Sequence, residues 1–383
     1  MSPLPTLPSL PPAVYVAGLV AFAVAVLLVL TGRWHGRFSM DGLAGVQKSH
    51  TTPTPRIGGV AIVAGLLAAW WQANPNHAQL FSTLVWAGLP AFAFGLAEDV
   101  TKRVGVLPRL LATMVSGVAA WWLTGIALTG VDVPLADDLL QFTLMSVVFT
   151  AFAVGGIANA ANIIDGLNGL ASGFMVVALS GVAALALLVG DTDLAFVSLA
   201  MAAAAAGFWL TNWPFGRLFL GDGGSYFCGF ALAWLSVLLI ERNDSVNAFV
   251  PLLLCIHPVT EVLFSIYRRR LKRASPGHPD RLHLHTLVMR RVVLPRVRRA
   301  YPESQRLAKQ ISNSVTGLLL AAASLPTIPL ALWSAHSPLA AAGCCLLLVV
   351  GYVTAYARLV RFHWCSPVAF LFTKPVGKYR QPV

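Results

Sequence analysis

Long apolar runs alternate with short polar or basic breaks along almost the whole chain. About 20 mostly apolar residues are needed for a helix to cross a bilayer. Eleven runs approach that length: 13–31, 57–73, 79–97, 107–126, 139–158, 168–189, 194–211, 224–240, 247–267, 314–334 and 338–358. Pro90 predicts a kink in the third, and the polar residues from Asn159 onward are expected to truncate the fifth. Composition agrees: 57% of residues are hydrophobic and only 11% charged, with a mean hydropathy of +0.73, whereas soluble chains are about one quarter charged. The expected fold is all-α, a polytopic integral membrane protein of about eleven transmembrane helices forming one membrane domain over 1–383. A basic loop at 268–313 is too short for a core of its own, and a basic tail follows at 359–383.

Charge orients these helices. With the N-terminus outside, Arg242 is the one exception among 27 Lys and Arg to a location in loops of a single face. The positive-inside rule makes that face cytoplasmic. The net charge of +12 is accounted for by this asymmetry and calls for no nucleic acid. The leading MSPLPTLPSLPP lacks the basic region of a cleaved signal, so the first helix is expected to stay as an anchor. Five cysteines without a CxxC suggest neither a disulfide framework nor a metal site. No internal repeat is evident, which counts against transporters built from duplicated halves.

The polar exceptions then carry the chemistry. NAANIIDGLNGLASG, residues 159–173, places Asn159, Asn162, Asp165 and Asn168 at a strict spacing of three. On a helix that is one slowly turning stripe, costly at membrane depth unless it is partnered or lines a wet cavity. Topology puts it at the cytoplasmic end of the fifth run and the start of the sixth. Glu98 and Asp99 end the third run. They suit a metal or a shared proton, or else form a solvated helix end neutralised by Lys102. FLGDGGSYFCG, residues 219–229, is a Gly-rich turn opening the eighth run. Its backbone N–H groups suit phosphate, and Asp222 is either a hard ligand for Mg²⁺ or an N-cap. RLHLHTLVMRR, residues 281–291, sets His283 and His285 among arginines, a combination suited to a diphosphate; an HxH alone lacks the ligands for zinc. KSHTTPTPRIGG, residues 48–59, reads as a rigid basic loop carrying Lys48 and Arg56.

Taken in order along one face, KxHxxPTPRxGG, Asp99 with Lys102, NxxNxxDGxxGL, FxGDxGS and PDRxHxH resemble one family. They are similar to the polyprenyl-phosphate N-acetylhexosamine-1-phosphate transferases (the MraY/WecA-like glycosyltransferase family 4, in its WecA-type branch) over residues 48–289. The resemblance implies transfer of a HexNAc-1-phosphate (GlcNAc-1-phosphate or a related sugar) from a UDP-sugar to undecaprenyl phosphate, with release of UMP. It implies Mg²⁺, with Mn²⁺ as a substitute, and a multi-pass protein of the bacterial inner membrane, compatible with a homodimer. By motif position, Asp222 and Asn162 match metal-binding residues, Phe219 the aromatic stacked on uracil, and Asn168 the residue reading the base edge. Asp99, Glu98, Asp165, His283 and His285 form the catalytic group, with Asp99 either a base toward the lipid phosphate or an organiser of metal and phosphate. Lys48, Lys102 and Arg281 complete the substrate contacts.

Two departures stand out: Glu98 replaces the first aspartate of the usual acid pair, and Thr286 follows His285 where a further histidine is usual. The second argues for initiation of a surface polysaccharide such as O-antigen over a phospho-MurNAc-pentapeptide transferase of peptidoglycan synthesis. The competing class is a broken-helix secondary transporter. It predicts polar positions in both halves of the membrane, and the outer halves are nearly bare.

Overall fold

The structure, a computed structural model, describes residues 10–42, 53–271 and 282–361. In chain order the helices are α1 (Pro12–Leu30), α2 (Gly32–Ser39), α3 (Gly59–Trp71), α4 (Pro75–Thr101), α5 (Val106–Thr124), α6 (Pro134–Leu140), α7 (Thr143–Ile164), α8 (Leu170–Leu188) and α9 (Thr192–Asn212). They continue as α10 (Gly221–Glu241), α11 (Phe249–Leu254), α12 (Ile256–Leu271), α13 (Leu284–Val288), α14 (Leu294–Ala300), α15 (Gln305–Ala322), α16 (Thr327–Ser334) and α17 (Pro338–Val360), with a π-helical turn at Met289–Val293. Among the described residues the only sheet is a two-stranded antiparallel clip of β1 (Met40–Asp41) and β2 (Thr54–Pro55), in which Met40 faces Pro55.

Each of the eleven apolar runs corresponds to a helix or a helix pair. Among the described residues nine helical spans are long and apolar enough to cross a membrane. The two left over are α3, of 13 residues, and the ninth run, which is broken at Cys255 between α11 and α12. The tenth is longer than its apolar pattern, since α15 begins within the basic stretch at Gln305.

At the centre stands α10, with every residue from Gly221 to Leu239 buried. Its sequence is apolar on all sides, as befits a helix surrounded by others. α3, α4, α5, α7, α8 and α9 pack around it, and small residues set how closely. A Cβ on Gly229 would lie 2.6 Å from the Ala158 Cα of α7, and one on Gly95 of α4 would lie 2.6 Å from the Asp222 carbonyl. Close backbone approach of this kind is what drives helix association where lipid is as apolar as leucine. It also brings the N-terminus of α10 to one end of the bundle, beside α4, α5 and α7.

One expectation is overturned. The fifth helix is not truncated at Asn159, for α7 continues to Ile164. The Asn159 amide donates to the Gly155 carbonyl one turn back (2.7 Å) and to Thr113 Oγ1 of α5 (3.2 Å), so its polar group is satisfied without breaking the helix. The helix ends instead at Asp165–Gly169, where Gly169 takes φ +77°. Asp165 and Asn168 therefore sit in a turn, and the four-residue helical stripe exists only for Asn159 and Asn162.

Candidate active site

The turn before α10 is shaped by its glycines. Gly221 has φ +76°, the left-handed region that side chains disfavour, and a Cβ there would collide with the Arg56 carbonyl oxygen and the Asp99 carboxylate. Gly221→Ala is expected to lose thermal stability, by about 1–3 kcal/mol for the strained backbone alone. A melting temperature within error of the parent protein would contradict this account of the turn.

The geometry gives Asp222 three partners from three other segments. Oδ1 accepts from Arg56 Nη2 (2.9 Å), which follows the clip, and from Asn162 Nδ2 of α7 (3.1 Å). Oδ2 pairs with Arg109 Nη1, from the first turn of α5. Asn162 also donates to Ser225 Oγ (2.8 Å) and accepts from the Tyr226 hydroxyl (3.4 Å). The Arg109 guanidinium lies over the Tyr226 ring at 6.0 Å. Charge-assisted bonds of this type are the strong ones, and here two guanidinium groups share one carboxylate.

Asp99 is fully buried and acts on the same turn. Its two oxygens accept the Asp222 and Gly223 backbone N–H groups, each at 2.9 Å, and Oδ1 also pairs with Arg56 Nε at 2.9 Å. A carboxylate from α4 thus caps the first turn of α10, satisfying donors that a helix N-terminus leaves open. Its neighbour Glu98 points elsewhere, accepting the Val104 N–H (2.8 Å) and closing the turn after α4. Lys102 ends that helix with φ +56° and donates Nζ to the Met40 carbonyl (2.6 Å), tying α4 to the clip.

Beyond the end of α7, Asp165 stays near Asp222. Burial pushes its carboxyl up to about 7, the Asp222 charge adds to the rise, and Arg56 and the Gly221 N–H oppose it. Asn168 is buried: its N–H donates to Asn313 Oδ1 (2.7 Å), and its amide donates to Ser314 Oγ (3.1 Å) and the Pro214 carbonyl (3.5 Å). It joins the turn to α15 and to the segment leading to Phe219. The Phe219 backbone in turn pairs with the clip segment, donating to Pro55 O (2.8 Å) and accepting from Gly58 N–H (2.9 Å).

The HxH motif reaches this turn from the other side. His285 is buried against Gly166, where a Cβ would lie 2.5 Å from its Nε2. Its ring stacks on that of His283, with centroids 5.5 Å apart and planes 5° from parallel. His283 Nδ1 is bonded to Glu261 Oε1 of α12 (2.9 Å). Lys48 and Arg281, expected on sequence grounds to contact substrate, lie outside the described residues.

The fold therefore gathers Asp99, Asn162, Asp165, Asp222, His283 and His285 at one end of the bundle. It adds Arg56 and Arg109, which the sequence pattern ranked only as inner-face charge. For Arg56 the available signal was its place in the KxHxxPTPRxGG motif; nothing in the sequence around Arg109 singles it out. Among the described residues no three His, Cys, Asp or Glu side chains come together as a metal-holding group. What the site offers is the carboxylates of Asp222 and Asp165 beside Asn162, whose amide turns its N–H toward Asp222 and its oxygen toward the Tyr226 hydroxyl. Such a sparse hard-oxygen set fits Mg²⁺, which takes one or two carboxylates and fills its remaining positions with water and substrate phosphates.

A family model described as glycosyl transferase family 4 matches residues 80–240, the stretch from α4 to α10 that builds most of the site. Three relatives carry names of one kind. A probable undecaprenyl-phosphate N-acetylglucosaminyl 1-phosphate transferase of Bacillus subtilis is 29% identical, with 63% of this chain and 68% of the relative covered. An undecaprenyl-phosphate alpha-N-acetylglucosaminyl 1-phosphate transferase of Yersinia pestis is also 29% identical, over 64% of this chain and 68% of the relative. A decaprenyl-phosphate N-acetylglucosaminephosphotransferase of Mycobacterium leprae is 30% identical, over 64% and 70%.

Proposed function

The chain belongs to the polyprenyl-phosphate N-acetylhexosamine-1-phosphate transferases of glycosyl transferase family 4, and from that premise we propose how its residues divide the work. It is a membrane transferase that moves a HexNAc-1-phosphate onto a polyprenyl phosphate. In our reading the donor is a UDP-HexNAc, UDP-GlcNAc first among them, and the acceptor is undecaprenyl phosphate. The site lies at the cytoplasmic face of the bacterial inner membrane. An oxygen of the lipid phosphate attacks the sugar-bearing phosphorus, the bond linking that phosphorus to UMP breaks, and UMP leaves.

The observation that carries the reading is the convergence of Asn162, Arg56 and Arg109 on Asp222 at the first turn of the buried α10. Phosphoryl transfer needs positioning and charge neutralisation more than covalent chemistry from the protein. Asp222, Asn162 and Asp165 are the residues that would hold Mg²⁺. Such an ion, when bound, neutralises diphosphate charge and fixes its orientation. Arg56 and Arg109 supply fixed positive charge where the transferred group develops negative charge. His285, packed against Gly166 with His283 stacked on it, suits the diphosphate or sugar together with that partner. Asp99 organises, holding Arg56 and the Asp222–Gly223 backbone in place.

Neither a secondary transporter nor a phospho-MurNAc-pentapeptide transferase is favoured, since the relatives are named for N-acetylglucosamine phosphate transfer. The test uses purified protein with undecaprenyl phosphate and a panel of UDP-HexNAc donors, and reads UMP with Mg²⁺ and with EDTA. UMP is expected from at least one donor, requiring both the lipid and the divalent ion. No UMP from any donor would remove the transferase reading, and full activity in EDTA would remove the metal.

A further inference from the structure

A buried carboxylate outside the cluster just described has no place in that account. Glu261, on α12, is the one acid of the 247–267 run and only 1% exposed. A charge at that depth is costly unless hydrogen-bonded and paired. Its partners are specific. Oε1 is bonded to His283 Nδ1 at 2.9 Å, and both oxygens accept the Leu284 backbone N–H at 3.2 Å. The Tyr352 hydroxyl of α17 is buried beside it. One carboxylate thus grips the HxH segment twice, by a ring nitrogen and by the backbone of the residue between the two histidines.

The consequences run outward in order. A carboxylate only accepts, so His283 Nδ1 carries a proton, and the bond fixes both the tautomer and the plane of the ring. His285 lies parallel to that plane at 5.5 Å, and its Nε2 meets Gly166, next to Asp165. The orientation of His285 at the site is therefore set through His283 by a residue on another helix. Outer partners of functional imidazoles act in this way, and their loss costs about 10–100-fold where they orient a ligand.

We propose that Glu261 is a positioning residue of the transferase site: it fixes the tautomer and orientation of His283, and through ring stacking the placement of His285 against the Asp165–Gly166 turn. The consequence for turnover rests on the transferase reading above; the geometric part does not.

Two measurements test it. The first is a double-mutant cycle on UMP release with Glu261→Gln, His283→Gln and both together. Glu261→Gln keeps the shape of the side chain and should lower kcat/KM about 10–100-fold, and the double variant should be no worse than His283→Gln alone, because the first residue acts through the second. Independent, multiplicative losses would overturn the proposal while leaving the transferase reading intact. The second is a ¹⁵N-histidine NMR spectrum of the full-length parent protein, with His283 assigned from the spectrum of His283→Gln. A protonated Nδ1 on His283 is expected; a bare Nδ1 would overturn the proposal whether or not any donor yields UMP, or Glu261→Gln folds.

Discussion

Asp222→Asn should reduce UMP release about 10³-fold, or about 4 kcal/mol of transition-state stabilisation, the scale of losing one fixed electrostatic contact in a charge-transfer site. The substitution keeps the volume of the side chain and removes one charge. Arg56 and Arg109 both end on that carboxylate. An amide in its place offers one oxygen and presents N–H to at least one of the donors around it, so two guanidinium groups and the Asn162 amide compete for a single acceptor. In the proposed metal role, the pair of hard oxygens that Asp222 would present to a divalent ion is halved at the same step. Alanine is the poorer choice, because leaving two arginines without their counter-charge costs about 3–5 kcal/mol of stability in buried settings and confuses folding with function. The assay is UMP release at saturating donor and lipid, with the melting temperature followed in parallel. An Asp222→Asn protein that retained more than a tenth of the parent rate would show that this carboxylate is not at the chemical centre.

The second large effect is expected at Asp99, and it separates two roles that the sequence motif leaves joined. Asp99 accepts the Asp222 and Gly223 N–H groups and pairs with Arg56. Asp99→Asn loses one acceptor and turns an N–H toward donors, at a cost of about 1–3 kcal/mol for the unsatisfied groups. An organiser transmits that cost through the geometry of Asp222. Activity is then expected to fall about 10²-fold at low Mg²⁺ and to recover in part as Mg²⁺ is raised, since added ion compensates for a weakened site by mass action. A base toward the lipid phosphate behaves otherwise: its loss lowers kcat at every Mg²⁺ concentration. A Mg²⁺ titration of the parent and Asp99→Asn proteins therefore decides between them, and a deficit that no Mg²⁺ concentration relieves would sink the organiser role.

How much of this was legible beforehand varies with the residue. Asp222 and Asn162 stand out in sequence because a carboxylate and an amide at the ends of long apolar runs need partners or water, and their motifs point to the same site that the fold assembles. Arg109 does not stand out. It lies in a run of inner-face cations, and nothing in its neighbourhood separates an arginine that anchors a loop from one that reaches another helix 113 positions away. Glu261 was visible only as a lone acid, because its partners His283 and Leu284 are brought to it by helix packing. Asn168 shows the opposite case: the motif gives it prominence, and the structure engages its amide with Ser314 and the Pro214 carbonyl.

What the chain determined by itself is what local chemistry dictates. Apolar runs of bilayer length make transmembrane helices, basic residues gathered in alternate loops give the bundle two unlike ends, and polar groups at the ends of those runs single out candidate site residues. These follow from transfer free energies that each residue carries wherever it sits. The tertiary structure alone decided which ends meet. It set α10 at the centre because glycines on α3, α4 and α10 allow backbones to touch, it ended α7 at Asp165 instead of Asn159, and it aimed Arg56, Arg109 and Asn162 at one carboxylate. Directional contacts between side chains far apart in sequence depend on packing at the scale of a single Cβ, and no local pattern encodes them.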